Sequence, residues 1–243
     1  MNASPWIARP APRPDARLRL LCVPYAGGGE AVFRAWPAAL PADVEVCTVC
    51  LPGRDQRRRE PVIARASAIV RALADAIGEP AGPYALFGHS MGARLAFELA
   101  REQRRRGRAL PRVLAVSGRA APHCAVRDPM HALATDALIG RLRRLGGTPE
   151  AVLREPELMA MFLPIVRADL AVNEVEPYQD EPALACPIVA FGARGDERCT
   201  LDELDAWRDH TAAGFTAHVF PGGHFFLHTA SRDVLAALAT ALG

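Results

Sequence analysis

Gly88-His89-Ser90-Met91-Gly92 follows the apolar run Tyr84-Ala85-Leu86-Phe87 and opens a segment whose apolar residues recur on a helical period. A short continuous apolar run bounded by turn residues reads as a buried strand. Residues 93–106, closed by Gly107, read as an amphipathic helix. Glycines two residues before and two residues after a serine, between strand and helix, form a nucleophile elbow. There the serine occupies a sharp turn, and the glycines allow backbones to approach where a Cβ would collide. The competing reading is a small-residue turn without chemistry. The elbow makes an enzyme the working expectation.

Outward from the elbow, residues 18–23, 44–51, 113–117, 188–192 and 216–220 read as further strands. Between them, residues 64–77 carry helical spacing through Ile69, Val70, Leu73 and Ile77, stopped by Gly78. Residues 201–213 and 231–242 read as later helices. Strands alternating with helices predict an α/β fold with a mostly parallel sheet covered on both faces. Residues 122–182 break the alternation. They hold helical patterns at 135–145 and 156–175, joined by Gly146-Gly147-Thr148-Pro149, and no convincing strand. An insertion of that size between core strands is expected to form a helical lid over the site. Residues 1–16 are expected to be a flexible proline-rich tail and 17–243 a single domain, with no repeat or second domain.

The 243 residues are half hydrophobic, enough for a large core, and the net charge is only +2. With no nucleic-acid motif, that balance argues against an RNA or DNA partner. All basic residues are arginine. There is no signal-peptide pattern and no apolar run near the ~20 residues that cross a bilayer, so a cytoplasmic protein without a membrane role is expected. Cys22, Cys47, Cys50 and Cys186 lie in or beside strand-like runs, where cysteine acts as a small hydrophobe. Cys47 and Cys50 would point to opposite faces of a strand, so no zinc site, redox pair or disulfide framework is expected.

A serine hydroxyl needs a histidine to take its proton and a carboxylate to orient that histidine. A nucleophile-elbow fold of the α/β-hydrolase type supplies them in the order Ser, acid, His. With Ser90 as nucleophile, Asp196 is the candidate acid, because it directly follows the 188–192 strand. Asp202, Asp205 and Asp209 read as the solvated face of the next helix, and Asp169 and Asp180 as part of the lid. His224, in Pro221-Gly222-Gly223-His224, is the candidate base, with His228 its rival. His210 and His218 read as structural, His89 as facing into the fold, and His123 and His131 as flanking the lid. The oxyanion donors are expected to be the backbone N–H of Met91 and that of Ala26, with Gly27 in reserve. The glycines at 27–29 do not complete a dinucleotide fingerprint, since Val32 stands at its last glycine position.

Pro24-Tyr25-Ala26-Gly27-Gly28, Leu51-Pro52-Gly53-Arg54, the elbow, Gly146-Gly147-Thr148-Pro149, Arg167-Ala168-Asp169 and Gly222-Gly223-His224-Phe225-Phe226 together resemble the signature set of type II thioesterases. These are stand-alone partners of polyketide synthases and non-ribosomal peptide synthetases, similar also to the medium-chain acyl-carrier hydrolase of animal fatty-acid synthesis. The resemblance runs from about residue 18 to residue 242. It implies a Ser90–Asp196–His224 triad, a helical lid and hydrolysis of acyl thioesters on acyl or peptidyl carrier proteins. It implies no metal or bound cofactor, since phosphopantetheine belongs to the substrate. Cys199 departs from the family's usual valine and reads as either a packing substitute or a reactive thiol.

Met159, Phe162 and Ile165 in the lid are the candidate acyl-binding residues. Arginine clusters at 54 and 57–59, at 101 and 104–106, and at 141, 143 and 144 are candidates to meet an acidic carrier, solvated surface being the competing reading. Expected activity is therefore thioester hydrolysis in polyketide or non-ribosomal peptide biosynthesis, for editing or release. The alternatives are a carboxylesterase or lipase of the same fold, a catalytically silent binding protein and a cyclising release enzyme.

Overall fold

The computed structural model describes residues 4–243. Seven strands form one sheet: β1 (Ile7–Ala8), β2 (Leu18–Val23), β3 (Val44–Val49), β4 (Tyr84–His89), β5 (Leu114–Ser117), β6 (Ile188–Ala193) and β7 (Phe215–Phe220). Their order is β1-β3-β2-β4-β5-β6-β7, parallel throughout except for β1, which runs antiparallel to β3. The helices are α1 (Trp36–Ala39), α2 (Ala66–Ile77), α3 (Met91–Arg105), α4 (Thr135–Leu145), α5 (Glu150–Leu153), α6 (Pro156–Glu174), α7 (Leu201–Asp205), α8 (Phe226–Thr229) and α9 (Ser231–Leu242). None is long and apolar enough to cross a membrane.

The strands are apolar on both faces because both faces are covered. Leu21 and Val23 of β2 pack into one cluster with Leu73 of α2 and Leu95 and Leu99 of α3. Their neighbours Leu20 and Cys22 point the other way, to Trp36 of α1 and Val234 and Leu238 of α9. That alternation is the two-residue period of a strand read in three dimensions. Each leucine so buried contributes roughly 1.5–3 kcal/mol, so packing on two sides, more than strand propensity, holds the sheet.

Two local expectations are revised. Residues 4–16 are anchored, not a free tail: β1 pairs with the edge of β3, and Cys50 N–H donates to Trp6 C=O at 2.9 Å. Arg9 and Arg19 converge on Glu45, which is fully buried, so charge completion pins the segment to the sheet. Residues 1–3 lie outside the described residues. The helix read over 201–213 ends at Asp205 and tightens into a 3-10 turn over Ala206–His210. Thr211 then bridges to Leu184 beside the sheet, which draws the chain out of the helical path.

Between β5 and β6, α4, α5 and α6 form a unit with its own small core of Met130, Leu138, Val166 and Leu170. Ala26, from the loop after β2, packs against that core. The chain places β3 on one side of β2 and β4 on the other, so the loops leaving β2 and β4 diverge and open a crevice at their carboxyl ends. The site lies there.

Candidate active site

Val23 pairs with Gly88, so the loop after β2 and the elbow after β4 leave the sheet side by side. Ser90 has φ 55° and ψ −114°, a strained geometry for a side chain with a Cβ. The turn is held by the Ser90 N–H bond to Ser117 C=O at 2.7 Å and by close backbone contact. A Cβ on Gly88 would stand 2.0 Å from Gly92 C=O oxygen, and one on Gly92 would stand 2.1 Å from that of Val23. Only glycine fits either place.

Ser90 Oγ is 3.1 Å from His224 Nε2, and His224 Nδ1 is 3.0 Å from each Asp196 carboxylate oxygen. Asp196 follows β6, and its side chain is fully buried beneath the imidazole. Arg198 N–H donates to Asp196 Oδ1 at 2.8 Å, which fixes the carboxylate. Gly195 N–H donates to Gly222 C=O at 3.0 Å, joining the acid loop to the histidine loop. The three predicted side chains, 28 residues apart for acid and base and 134 for base and serine, are brought into one hydrogen-bonded chain. Such a chain can move a proton from serine to imidazole while the carboxylate steadies the ring.

The rivals are placed elsewhere. His228 bonds Tyr25 Oη at 2.9 Å. Asp202, Asp205 and Asp209 are exposed. His89 is buried beneath the site with Nδ1 2.9 Å from Ser117 Oγ, and burial, with the imidazoles of His224 and His228 beyond, drives its pKa well below the usual value. It stays neutral. His123 bonds His210 at 2.8 Å and His131 bonds Glu174 at 2.9 Å, so both are tied into the structure. Burial, and then the Asp196 charge, raise the Cys199 thiol well above its usual value, which suits packing and not reactivity.

Met91 begins α3 beside the nucleophile. In the facing loop the Gly27 N–H is taken by Asp169 Oδ2 at 2.7 Å, so it is not open to a ligand. Phe162 lies on Gly27, its ring 2.8 Å from where a Cβ would be. Met159 is buried in the lid and Ile165 partly so, and none of these three lid residues lines the cavity at Ser90. That cavity, about 40 Å³, is walled instead by Gly118, Arg119 and the 120–127 segment after β5, with Asn173 and Arg198. Arg119, pulled down to about 10 by burial and then by the Arg94 charge, bonds Asn173 Oδ1 at 2.5 Å. Its position directly after the β5 strand was the available signal, since loops at carboxyl strand ends line such crevices.

The arginine clusters are largely consumed by the fold. Arg57 is buried, bonded to Glu60 and to Cys50 C=O and stacked 4.0 Å from the Trp6 ring. Arg54 and Arg101 are buried as well, and Arg104, Arg105 and Arg106 pair with Glu181, Glu102 and Asp75. Arg58, Arg59, Arg105, Arg143 and Arg144 are exposed, Arg105 paired with Glu181 and Arg143 with Glu150.

The family model described as Thioesterase domain matches residues 18–242. The chain is 40% identical over 233 residues to the gramicidin S biosynthesis protein GrsT of Aneurinibacillus migulanus, covering 95% of this chain and 91% of that protein. It is 37% identical to the thioesterase PikA5 of Streptomyces venezuelae, covering 94% of this chain and 82% of that one. The solved structure of RedJ, a thioesterase from the prodiginine biosynthetic pathway in Streptomyces coelicolor, superposes with a TM-score of 0.88 at 42% identity, covering 93% of this chain and 86% of that one. By its sequence, its sheet and its site, this chain belongs to the thioesterase family and has the α/β-hydrolase fold.

Proposed function

We propose that this thioesterase is of type II, removing acyl groups from the phosphopantetheine arms of carrier proteins in polyketide or non-ribosomal peptide biosynthesis, in the cytoplasm. Ser90 is the nucleophile, His224 the general base and Asp196 the group that orients it. The observation that carries the reading is the Ser90–His224–Asp196 chain at 3.1 and 3.0 Å, set under a helical insertion in a chain that matches the thioesterase model from 18 to 242.

Ser90 Oγ attacks the thioester carbonyl as His224 Nε2 takes its proton. The tetrahedral oxyanion is met by the N–H groups of Met91 and Ala26. Collapse expels the pantetheine sulfur, a good leaving group because a thiol's pKa lies well below an alcohol's, and the proton held by His224 passes to it, leaving His224 neutral. Water deprotonated by His224 then releases the acid from the acyl-serine. Side chains, two backbone donors and water suffice for these steps.

The reading is tested with one acyl group carried on a carrier protein, on N-acetylcysteamine and on p-nitrophenol. The carrier thioester is expected to have the highest kcat/KM, and Ser90→Ala, which removes one oxygen and opens no cavity, is expected to lower kcat at least ~10³-fold on all three. A preference for the oxygen ester would overturn it in favour of an esterase.

A further inference from the structure

Asp169 lies on α6 of the lid, 1% exposed, and its carboxylate is fully used. Oδ2 accepts the Gly27 N–H at 2.7 Å and Arg54 Nη1 at 2.6 Å, and Oδ1 accepts Arg54 Nη2 at 2.8 Å. Arg54 Nη1 also donates to Gly28 C=O at 3.0 Å. The two partners of one buried ion pair therefore hold consecutive residues of the loop after β2, one by its N–H and the other by its C=O. Phe162 and Val166 of the same helix press on Gly27, whose φ is 77°.

A peptide unit is a rigid plane, so aiming the Gly27 N–H at the lid fixes the plane it shares with the Ala26 carbonyl. Gly28 N–H is taken by Tyr25 C=O at 2.9 Å, so with Gly27 committed to the lid, Ala26 is the residue of 26–28 whose N–H is left for the crevice. A lone carboxylate near that point would repel the developing oxyanion, and the bidentate guanidinium cancels its charge where it stands. Anchoring a helix asks for none of this, and a buried ion pair adds little stability of its own.

We infer that Asp169, neutralised and held by Arg54, is the positioning residue of the oxyanion hole and couples the seating of the lid to the hole's geometry. The inference rests on Ala26 and Met91 being the oxyanion donors. With Asp169 in place the Ala26 N–H is preset before substrate arrives, and a lid lifted from Gly27 slackens it.

The test compares Asp169→Asn, Asp169→Leu and the double variant Arg54→Met/Asp169→Leu. The double variant removes both charges together, and it is read where Asp169→Leu alone does not fold. Measurements are kcat and KM on an acyl-N-acetylcysteamine thioester, inhibition by a trifluoromethyl ketone whose adduct with Ser90 bears an oxyanion, and Tm. Both leucine variants are expected to lose ~10²-fold in kcat and the same factor in ketone affinity, with KM within about threefold of the parent. Asp169→Asn keeps an oxygen to accept the Gly27 N–H and is expected to lose less than ~10-fold. Folded leucine variants with parental kcat and ketone affinity overturn the inference, as does an equal loss in Asn and Leu variants that follows Tm. A parent enzyme that the ketone does not inhibit overturns the oxyanion assignment itself, a result separate from parental inhibition that the variants leave unchanged.

Discussion

At the scale of single residues, the chemistry depends on orientation more than on proximity. Asp196 meets the imidazole with both oxygens at 3.0 Å, and this contact selects the tautomer that leaves Nε2 free to accept from Ser90. Asp196→Asn is expected to lower kcat by ~10²–10⁴-fold with little change in fold, while Asp202→Asn on exposed α7 stays near the parent. Equal and mild losses measured in both would place the acid elsewhere. Asp169, with its carboxylate committed to Arg54 and Gly27, is not available for that role. A second residue sets acid sensitivity. His210 is 6% exposed, and burial, then the neighbouring His123, pull it down to about 4. The unfolded chain takes up that proton near pH 6.5 and the folded chain does not. Stability is therefore full above about pH 6.5, falls as pH drops toward 4, and stops falling once the native ring is also protonated. Urea unfolding at about pH 7 and about pH 5 is expected to differ by about 2 kcal/mol from this residue, and His210→Gln should remove that difference. An unchanged pH slope in the variant would assign the effect to another group.

At the scale of elements, the lid and the triad meet through a glycine. Gly146 ends α4 with φ 76°, a left-handed C-cap. The next residue, Gly147, lies on the Phe225 ring, where a Cβ would be 2.1 Å from Cζ. Phe225 follows His224 directly, and its ring also packs edge-on to Tyr25 at 4.9 Å. A side chain at 147 must therefore push the loop that carries His224. Gly147→Val is expected to lower both kcat and the rate of Ser90 labelling by a fluorophosphonate about 10–10²-fold, with Tm changed by a few degrees. Labelling at the parental rate would mean that this loop adjusts without moving His224. The cavity at Ser90 is walled by the 118–127 segment, with Asn173 the one α6 residue that reaches it.

At the scale of the whole molecule, most positive charge is internal currency of the fold. Glu181 alone gathers Arg101, Arg104 and Arg105, which together draw its pKa down to about 2 against the cost of burying it. With Arg57 buried under Trp6, reversing residues 57–59 as a block would damage the fold; Arg58 and Arg59 alone form the surface part of that cluster. If an acidic carrier is steered to this surface, Arg58→Glu/Arg59→Glu should lower kcat/KM for the carrier thioester several-fold at low salt and leave the N-acetylcysteamine thioester unchanged. That difference should fade as the Debye length falls to ~3 Å near 1 M salt. Equal effects on both substrates would remove these arginines from carrier recognition.

The legible part of this protein was what short-range periodicity and loop position encode. Short continuous apolar runs marked β2 through β7, helical spacing marked α2, α3, α6 and α9, and Ser90, Asp196 and His224 each sat in the loop after a marked strand. Parallel strands put those loop ends on one side, so Ser90, Asp196 and His224 were readable as a set. β1 was not legible, because Ile7–Ala8 is too short for a period and lies among prolines, and only Glu45 and the open edge of β3 give it a place. Nor were the lid residues' roles, since Met159, Phe162 and Ile165 share one helix and only packing decides that Phe162 faces Gly27. Arginine spacing suggested a surface that the fold spent on internal partners. The Arg54–Asp169 pair joins residues 115 apart in the chain. Local pattern reports which face an element buries; which charge meets which backbone group is set only when distant loops are packed together, and tertiary structure alone decides it.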